Sequence, residues 1–378
     1  MALQAAARFS VRLLVHERGR LLASLGGVAF ALLLMLLQVG FRNALLDSAL
    51  ELLRAVDADI VVIDKEKDPF LRRREMPRER LYQALSVEGV VSASPVWIDL
   101  VQWKNTATGT LHPIRLIGFE LDAPTFLIES INAKRHLLEQ RGRALIDSRS
   151  RGSYGNTDPG RAEVALREIE VVGDFPLGAD FEVDGNLIVS AETYFDLTGE
   201  RRQHVEMALL RLAPGADPEA VLARLAAILP TDVRAFSKTQ LIARDLAYWE
   251  AGTPISVILL VGVALGFAVG VVICYQILYT EVLDHLAEFA TLKAMGYSDG
   301  YIQWVVVIEA WVLSLFGFLP SVVLGWLLLA LLRLLSGLPA GLGGEDILLV
   351  FVLSVSMCSA AAVLALRKVR LLDPAELF

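Results

Sequence analysis

The chain has 378 residues, of which 55% are hydrophobic and 21% charged, and its formal net charge at pH 7 is −8. This acidic balance argues against a nucleic-acid-binding protein, which normally needs a basic face. The only cysteines, Cys274 and Cys358, lie in apolar stretches. We therefore expect no disulfide in the polar part of the chain, and we interpret both cysteines as small buried hydrophobic residues.

Four long apolar runs divide the chain. They occupy residues 21–41, 254–280, 303–335 and 346–366, and about 210 mostly polar residues separate the first run from the second. An apolar helix of ~20 residues, rising ~1.5 Å per residue, crosses the ~30 Å hydrocarbon core of a bilayer. The runs predict an α-helical membrane protein with four transmembrane helices in a 1+3 arrangement and one large domain between the first two.

In chain order, residues 3–20 place leucine and alanine among arginines at near-helical spacing. This pattern is typical of an interfacial amphipathic helix and equally of an ordinary basic flank. After the first run, helical periodicity continues through residues 43–58, and short strand-like and helix-like segments follow. The predicted strands are 58–63, 96–103, 110–119, 164–173, 181–190 and 207–212, and the predicted helices are 78–85, 219–229 and 236–253.

Local signals refine this intervening region. Residues 106–109 predict a hairpin turn, and Asp217, followed by a proline, predicts a helix N-cap. Trp97 and Trp103 lie six residues apart, on one face of a strand, which favours core packing over contact with a partner. The run Arg72–Arg74 favours a solvated loop over a docking patch. Strands alternating with helices predict an α+β domain.

Two features concern the packing of the apolar helices. Gly262, Gly266 and Gly270 are spaced four apart in the second run. Small residues at this spacing let helices approach closely, either at a homodimer interface or within one protomer. In the third run, Pro320 predicts a kink or a break because proline lacks the backbone N–H and clashes with the preceding turn.

Basic residues near the ends of the apolar runs predict the orientation. They are Arg8, Arg12, Arg18 and Arg20 before the first run, and Arg367, Lys368 and Arg370 after the last. Because short cytoplasmic flanks are enriched in lysine and arginine, we expect both termini in the cytoplasm. The protein is then a multi-pass protein of the cytoplasmic (inner) membrane, and its α+β domain is extracytoplasmic (periplasmic).

Several kinds of chemistry lack the residues that they require. The sequence contains no phosphate-binding G-x-x-x-x-G-K-[ST] loop and no H-E-x-x-H, and its five histidines are scattered. Its one G-x-S-x-G match, residues 296–300, lies in the loop between two apolar runs and not after a predicted strand, where the nucleophile of a hydrolase would stand. Nucleotide hydrolysis, metal binding and hydrolase activity are therefore not expected of this chain. Glu309 is the one carboxylate well inside a predicted span, which disfavours an ion-coupled transporter.

The loop at 281–300, between the second and third runs, has the features of a short helix. Glu281 and Glu288 lie toward its N-terminal side and Lys293 lies near its C-terminal end, which complements the helix dipole. Gly296 is a typical helix stop. An apolar stripe at i, i+3 and i+6 is suited to a groove on a partner, although a solvated interspan helix is the alternative. The candidate contact residues are Glu281, His285, Glu288, Phe289, Leu292, Lys293, Met295 and Gly296.

Two segments resemble a known family. Residues 288–296 read EFATLKAMG, which is similar to the E-x-A/G-x-L-[RK]-A-[LM]-G signature of FtsX/MacB-type permeases of ABC exporters. Residues 371–377, LLDPAEL, are similar to the L-x-P-A-E-x-L ending of these permeases. The first-span segment 26–45 and the motifs at 144–147 and 172–175 look like DevC-type members of the family.

The resemblance implies a permease that does not itself hydrolyse ATP and needs no cofactor, because ATP is bound by a separate ABC ATPase subunit, DevA-like. A coupling helix at 281–296 would dock on that subunit. Further implied partners are a DevB-like periplasmic membrane-fusion adaptor, a TolC-like outer-membrane channel and a second copy of the chain in a homodimer. The implied activity is MacB-like mechanotransmission that exports a lipid, a glycolipid or another hydrophobic cargo.

Three alternatives stay open: an FtsX-like signalling permease that regulates an envelope hydrolase, a lipoprotein-releasing permease, and a membrane-anchored receptor without an ATPase. The first two share the expected 1+3 layout. Its segments are an amphipathic helix at 1–20, transmembrane helices at 21–42, 254–280, 301–335 and 346–366, the α+β domain at 43–253, the coupling loop at 281–300, a short external loop at 336–345 and a cytoplasmic tail at 367–378.

Overall fold

The computed structural model describes residues 18–180, 182–286, 291 and 295–370. The predicted amphipathic helix, apart from residues 18–20, and the tail motif at 371–377 lie outside the described residues. The chain forms two compact units. Residues Ala44–Pro254 together with Leu332–Pro339 form one unit, called the α+β domain below. The described residues of the remaining segments form the other, called the helical unit.

The helices and strands alternate as follows. The helices are α1 (Arg18–Ala55), α2 (Glu79–Leu85), α3 (Glu129–Lys134), α4 (Ala191–Thr198), α5 (Pro218–Ile228), α6 (Lys238–Ala251), α7 (Pro254–Asp284), α8 (Asp299–Ser336) and α9 (Gly344–Arg370). The strands are β1 (Ile60–Asp64), β2 (Met76–Pro77), β3 (Val90–Lys104), β4 (Leu111–Phe119), β5 (Arg143–Asp147), β6 (Gly160–Val164), β7 (Arg167–Phe175), β8 (Asn186–Ser190), β9 (His204–Val205), β10 (Met207–Leu212) and β11 (Val233–Ser237). Short 3-10 helices lie at Arg135–Glu139 and Gly152–Tyr154.

Four helices, α1, α7, α8 and α9, are long and apolar enough to cross a membrane. One precedes the α+β domain and three follow it, which confirms the 1+3 arrangement. The predicted helical continuation after the first run is also confirmed, because α1 extends without interruption to Ala55. Of the kink or break predicted at Pro320, the break does not occur: α8 is a single helix from Asp299 to Ser336 with the proline inside it.

The core of the helical unit is formed by apolar side chains from all four long helices, among them Leu32, Val282, Val306 and Met357. Both cysteines are buried there, as predicted, and their Sγ atoms lie 3.4 Å apart as free thiols. Many side chains on the other faces of these helices are apolar and exposed. Such exposure is what a helix surrounded by lipid requires.

The α+β domain is built on a nine-stranded sheet in the order β11-β1-β10-β3-β4-β8-β5-β7-β6. The long strand β3 also pairs with β6, so strands β3 to β8 close into a ring. Alternate residues of each strand point to opposite faces. In β1, Ile60 and Val62 join the apolar cluster on one face, and Val61 and Ile63 join the cluster on the other. The sheet is therefore buried on both faces.

Several predicted elements are confirmed within this domain. The strand at 207–212 is β10, and the hairpin at 106–109 joins the antiparallel strands β3 and β4. The Asp217 side chain accepts a hydrogen bond from the Glu219 N–H, as an N-cap does. Trp97 and Trp103 are both buried in the core, as predicted from their spacing.

Two predictions in this domain are wrong, and two helices were missed. The segment at 164–173 is not one strand: β6 ends at Val164, and β7 begins at Arg167 after a two-residue turn. Ala165 and Leu166 have φ angles of 51° and 61° in that turn, a conformation that neither residue type favours. The strand predicted from residue 181 begins only at Asn186. Helices α3 and α4 were not predicted.

Candidate functional site

The predicted coupling segment follows α7. Its His285 Nε2 lies 3.7 Å from the Glu281 carboxylate one helical turn earlier. At the other end, the Met295 N–H donates to the Thr291 carbonyl at 3.0 Å, which is a helical bond. Gly296 has a φ of 91°, a left-handed conformation suited to a helix stop. The Met295 side chain is 63% exposed. Glu288, Phe289, Leu292 and Lys293 lie outside the described residues.

The three spaced glycines of α7 pack within the chain. A Cβ atom on Gly262 would lie 2.7 Å from the Gln38 side chain, and one on Gly266 would lie 3.0 Å from Met35, both on α1. A Cβ on Gly270 would collide with Met357 of α9. These close approaches favour packing within one protomer over a dimer interface at this face.

A buried carboxylate organises the α+β domain around the end of β5. Asp147 accepts hydrogen bonds from the backbone N–H groups of Arg149, Leu177 and Gly178, and from the Asn186 side chain at 2.8 Å. Four donors surround one carboxylate that is almost fully buried. Hydrogen bonds to an ionised acceptor are stronger than neutral ones. Asp147 therefore holds two separate chain segments together.

Residues that follow Asp147 contact the segment Leu332–Pro339, which belongs to the same compact unit. The Arg151 guanidinium donates to the Ser336 carbonyl at 2.8 Å and pairs with Asp184 at 2.5 Å. A Cβ atom on Gly337 would lie 2.9 Å from the Arg149 carbonyl, so only glycine fits there. The C-terminal turn of α8 is thus anchored in the α+β domain.

A second buried charge stands beside this anchor. The Arg115 guanidinium is almost fully buried and pairs with Asp180 at 2.5 Å and with Glu182 at 2.9 Å. It also donates to the Asn186 side chain, which bonds to Asp147. The two carboxylates compensate the arginine, as a buried charge requires. Together these residues form a continuous polar network inside an otherwise apolar core.

The loop between β1 and β2 is held by another buried ion pair. The Lys67 ammonium donates to the Glu206 carboxylate and to the Arg72 carbonyl. The Glu206 carboxylate also accepts from the Arg74 N–H at 2.9 Å. Burial raises the pKa of the Glu206 carboxyl and lowers the pKa of the Lys67 ammonium, and the attraction between the two charges opposes both shifts.

The same loop carries the predicted basic run. Arg73 is exposed, but its guanidinium pairs with Asp99, Glu75 and Glu200 at 2.5 to 3.0 Å. Its charge is thus compensated within the domain, which favours the predicted solvated loop over a docking patch.

The buried charges of the α+β domain were not predicted from the sequence. Lys67 and Glu206 are separated by 139 positions, and no local pattern distinguishes them from exposed residues of the same types. Asp147 ends a motif that was noted only for its family resemblance. In the described part of the chain, no group of three or more His, Cys, Asp or Glu side chains is arranged to hold a metal ion.

Comparison with known proteins gives a family for the last third of the chain. Residues 260–374 match the family described as FtsX-like permease C-terminal. The periplasmic region of MacB from Actinobacillus actinomycetemcomitans is similar at 10% identity and a TM-score of 0.35, over 50% of this chain and 94% of that one. The extracellular domain of the noncanonic ABC-type transporter YknZ from Gram-positive bacteria is similar at 11% identity and a TM-score of 0.33, over 48% and 99%. A search of curated proteins found no match.

Proposed function

We propose that this membrane protein is the permease subunit of an ATP-driven exporter, because residues 260–374 match the family described as FtsX-like permease C-terminal. A separate ABC ATPase subunit would hydrolyse ATP. The family match over α7, α8 and α9 is the observation that carries the proposal. The lone first span and the α+β domain that follows it support the same reading.

In this proposal the ATPase subunits act on the permease through the loop between α7 and α8. Closure of two ATPase subunits would displace the segment 281–296, where the exposed Met295 offers an apolar contact. Helix α8 begins directly after this loop and remains continuous over 38 residues. A helix of that length measures about 57 Å. Its last turn belongs to the same compact unit as Arg151, whose guanidinium donates to the Ser336 carbonyl, and in this proposal a displacement of the loop would be passed on along this continuous helix.

The part of the permease that responds to this displacement would be the α+β domain. We propose that it lies outside the cytoplasm, with both termini inside, and that it acts on a membrane-fusion adaptor while two copies of the chain form a homodimer. The cargo would be a lipid, a glycolipid or another hydrophobic molecule. Such a cargo need not pass between the four helices, which fits their scarcity of ionisable residues.

The test is the ATPase activity of the partner subunit co-purified with the full chain in nanodiscs. We expect the wild-type chain to retain the ATPase and to stimulate hydrolysis. Glu288→Arg and Met295→Glu should lower that stimulation because they change the charge of the docking surface. Glu88→Arg is the matched control, since Glu88 is 90% exposed on the α+β domain.

The possible results of this assay support or contradict the proposal. Loss of stimulation in both loop variants, with the control unchanged, supports coupling through the loop. Equal stimulation by all four proteins would contradict it. A wild-type chain that neither retains nor stimulates an ATPase would refute the exporter proposal and favour a receptor.

A further inference from the structure

A groove opens along one side of the α+β domain, between α5 and β11. Its volume is about 360 Å³. Apolar side chains line most of it, contributed by Leu222, Leu225, Ala226 and Leu229 from α5 and its end, and by Ala235 and Phe236 from β11. The groove is about half open to solvent rather than enclosed, which suits a segment of chain better than a small molecule.

The floor of this groove is the open edge of the sheet. Strand β11 is the terminal strand of the nine, and among the described strands it pairs only with β1. The Lys65 N–H donates to the Asp232 carbonyl, and the Lys238 N–H donates to the Asp59 carbonyl. Both bonds join residues in the register of the β1–β11 pair. In an antiparallel pair, alternate residues direct their backbone groups to the partner strand.

The even-numbered residues of β11 therefore bond to β1, and the odd-numbered residues point their backbone groups outward. The Val233 N–H turns back to the Pro230 carbonyl, and the Ser237 N–H is bonded to the Gln240 side chain. Ala235, between them, directs its N–H and its carbonyl at the open edge. An edge of this kind is a template for another strand.

Two cations flank the edge. Lys65 and Arg234 both line the groove and both side chains are exposed. Neither forms an ion pair with another described residue, although most of the other arginines of this domain are paired with carboxylates. The rim of the groove thus carries two uncompensated positive charges beside an apolar floor.

We propose that this edge binds an extended, acidic segment of a partner protein by strand addition. Main-chain bonds to Ala235 would give affinity, and side chains would give specificity. Ala235 lies on the face of β11 that packs toward α5, and Arg234 lies on the opposite face. The added segment should therefore alternate apolar residues, which enter the groove, with acidic residues, which meet Arg234.

Under the proposed function the source of this segment is the adaptor, and that identification rests on the proposed function. The test does not involve an ATPase, so either proposal can fail alone. The full chain in zwitterionic nanodiscs is titrated against three fluorescein-labelled hexapeptides, and anisotropy is measured. One peptide alternates valine and glutamate, the second alternates valine and lysine, and the third has the composition of the first with its valines and glutamates in separate blocks.

We expect the alternating acidic peptide to bind about tenfold more tightly than the basic one, a difference of about 1.4 kcal/mol that exposed ion pairs with Lys65 and Arg234 can supply. The blocked peptide should bind more weakly than the alternating one. Lys65→Glu/Arg234→Glu should reverse the charge preference. Arg161→Glu/Arg167→Glu, which changes two exposed arginines of β6 and β7 by the same charge, should leave it unchanged.

Ala235→Pro tests the main-chain bond directly. Proline removes the outward N–H and leaves the bonds to β1, and edge strands tolerate it at such a position. We expect this variant to keep the wild-type melting temperature and to lose binding of the alternating acidic peptide. Equal binding of all three peptides, the absence of binding, or unchanged binding by a folded Ala235→Pro protein would each overturn the proposal. If proline prevents folding, the double charge reversal still decides it.

Discussion

The helical unit and the α+β domain bury their polar groups differently. Among the long helices, the polar contacts include a hydrogen bond between the hydroxyls of Ser314 and Ser354 at 2.7 Å, and the Glu309 carboxylate is buried there. In the α+β domain, full charges are buried and matched, as in the pairs Lys67–Glu206 and Arg115–Asp180. Both regions have dense apolar cores, so the contrast lies in what accompanies the apolar packing.

The contrast indicates what each region depends on. In a bilayer, lipid is as apolar as the helix surfaces, so association depends on close fit at small residues and on a few hydrogen bonds. In water, the α+β domain gains stability from apolar burial, and it can hold buried charges only while each has its partner. We therefore expect the helical unit to be sensitive to shape and the domain to be sensitive to the loss of one charge.

The largest effect is expected at the buried ion pair. Lys67→Met leaves the Glu206 carboxylate buried and uncompensated, which should lower the free energy of unfolding of the domain by about 3–5 kcal/mol. Lys67→Met/Glu206→Gln should recover much of the loss, because glutamine still accepts the Arg74 N–H. Hydrogen–deuterium exchange of the domain in the full chain measures both.

The matched control for that experiment is Lys104→Met. Lys104 pairs with Glu163 at 2.6 Å, but both side chains are more than a third exposed. Removing this exposed pair should cost less than about 1 kcal/mol. If Lys67→Met costs no more than Lys104→Met, charge matching does not distinguish the domain.

The second effect is expected at Asp147. Asp147→Ala leaves the N–H groups of Leu177 and Gly178 buried without their acceptor, so we expect a loss of about 3 kcal/mol. Asp158→Ala removes an exposed carboxylate and should change stability little. Faster exchange of the Leu177 and Gly178 amides in the first variant alone would support the role of Asp147. Unchanged exchange would show that water or a neighbouring group replaces the carboxylate.

These two sites also show which features of the fold cannot be predicted from the sequence. Patterns set by neighbours in the chain were predicted well: the four long helices follow from apolar length, and the N-cap at Asp217 follows from its residue type. The turn at Ala165–Leu166 was missed because neither residue is a turn former. The buried partners of Lys67 and Arg115 could not be predicted, since they are far away in sequence and meet only after folding.

An effect of intermediate size on stability is expected when a methyl group is added at a close helix contact in the helical unit. A Cβ atom on Gly317 of α8 would lie 2.8 Å from Cγ1 of Val28, a stiff β-branched side chain of α1. We expect Gly317→Ala to destabilise the unit by about 1–3 kcal/mol. Gly26→Ala on α1 meets nothing within 4 Å and should stabilise slightly, because alanine favours the helix more than glycine does.

The labelling rate of the two buried cysteines tests this prediction. A thiol-reactive fluorophore labels Cys274 and Cys358 only when the helices separate, so the labelling rate follows opening of the helical unit. Gly317→Ala should raise the rate and Gly26→Ala should not. If both variants label alike, close fit at this glycine is not what holds α1 against α8.

The smallest effect is expected at an exposed pair in the α+β domain. The Lys134 ammonium lies 2.6 Å from the Asp174 carboxylate, and this hydrogen bond holds the pKa of Asp174 below its ordinary value of 3.8. Because the folded pKa is lowered, the pair stabilises the fold fully above pH 3.8, and the stabilisation is lost as the pH falls through the folded pKa.

Lys134→Met should cost less than about 1 kcal/mol at pH 7. The difference between variant and wild type, measured by denaturant unfolding at a series of pH values, should shrink toward zero in acid. A difference that persists there would mean that the lysine stabilises the domain through its apolar stem or through its bond to the Asp174 carbonyl.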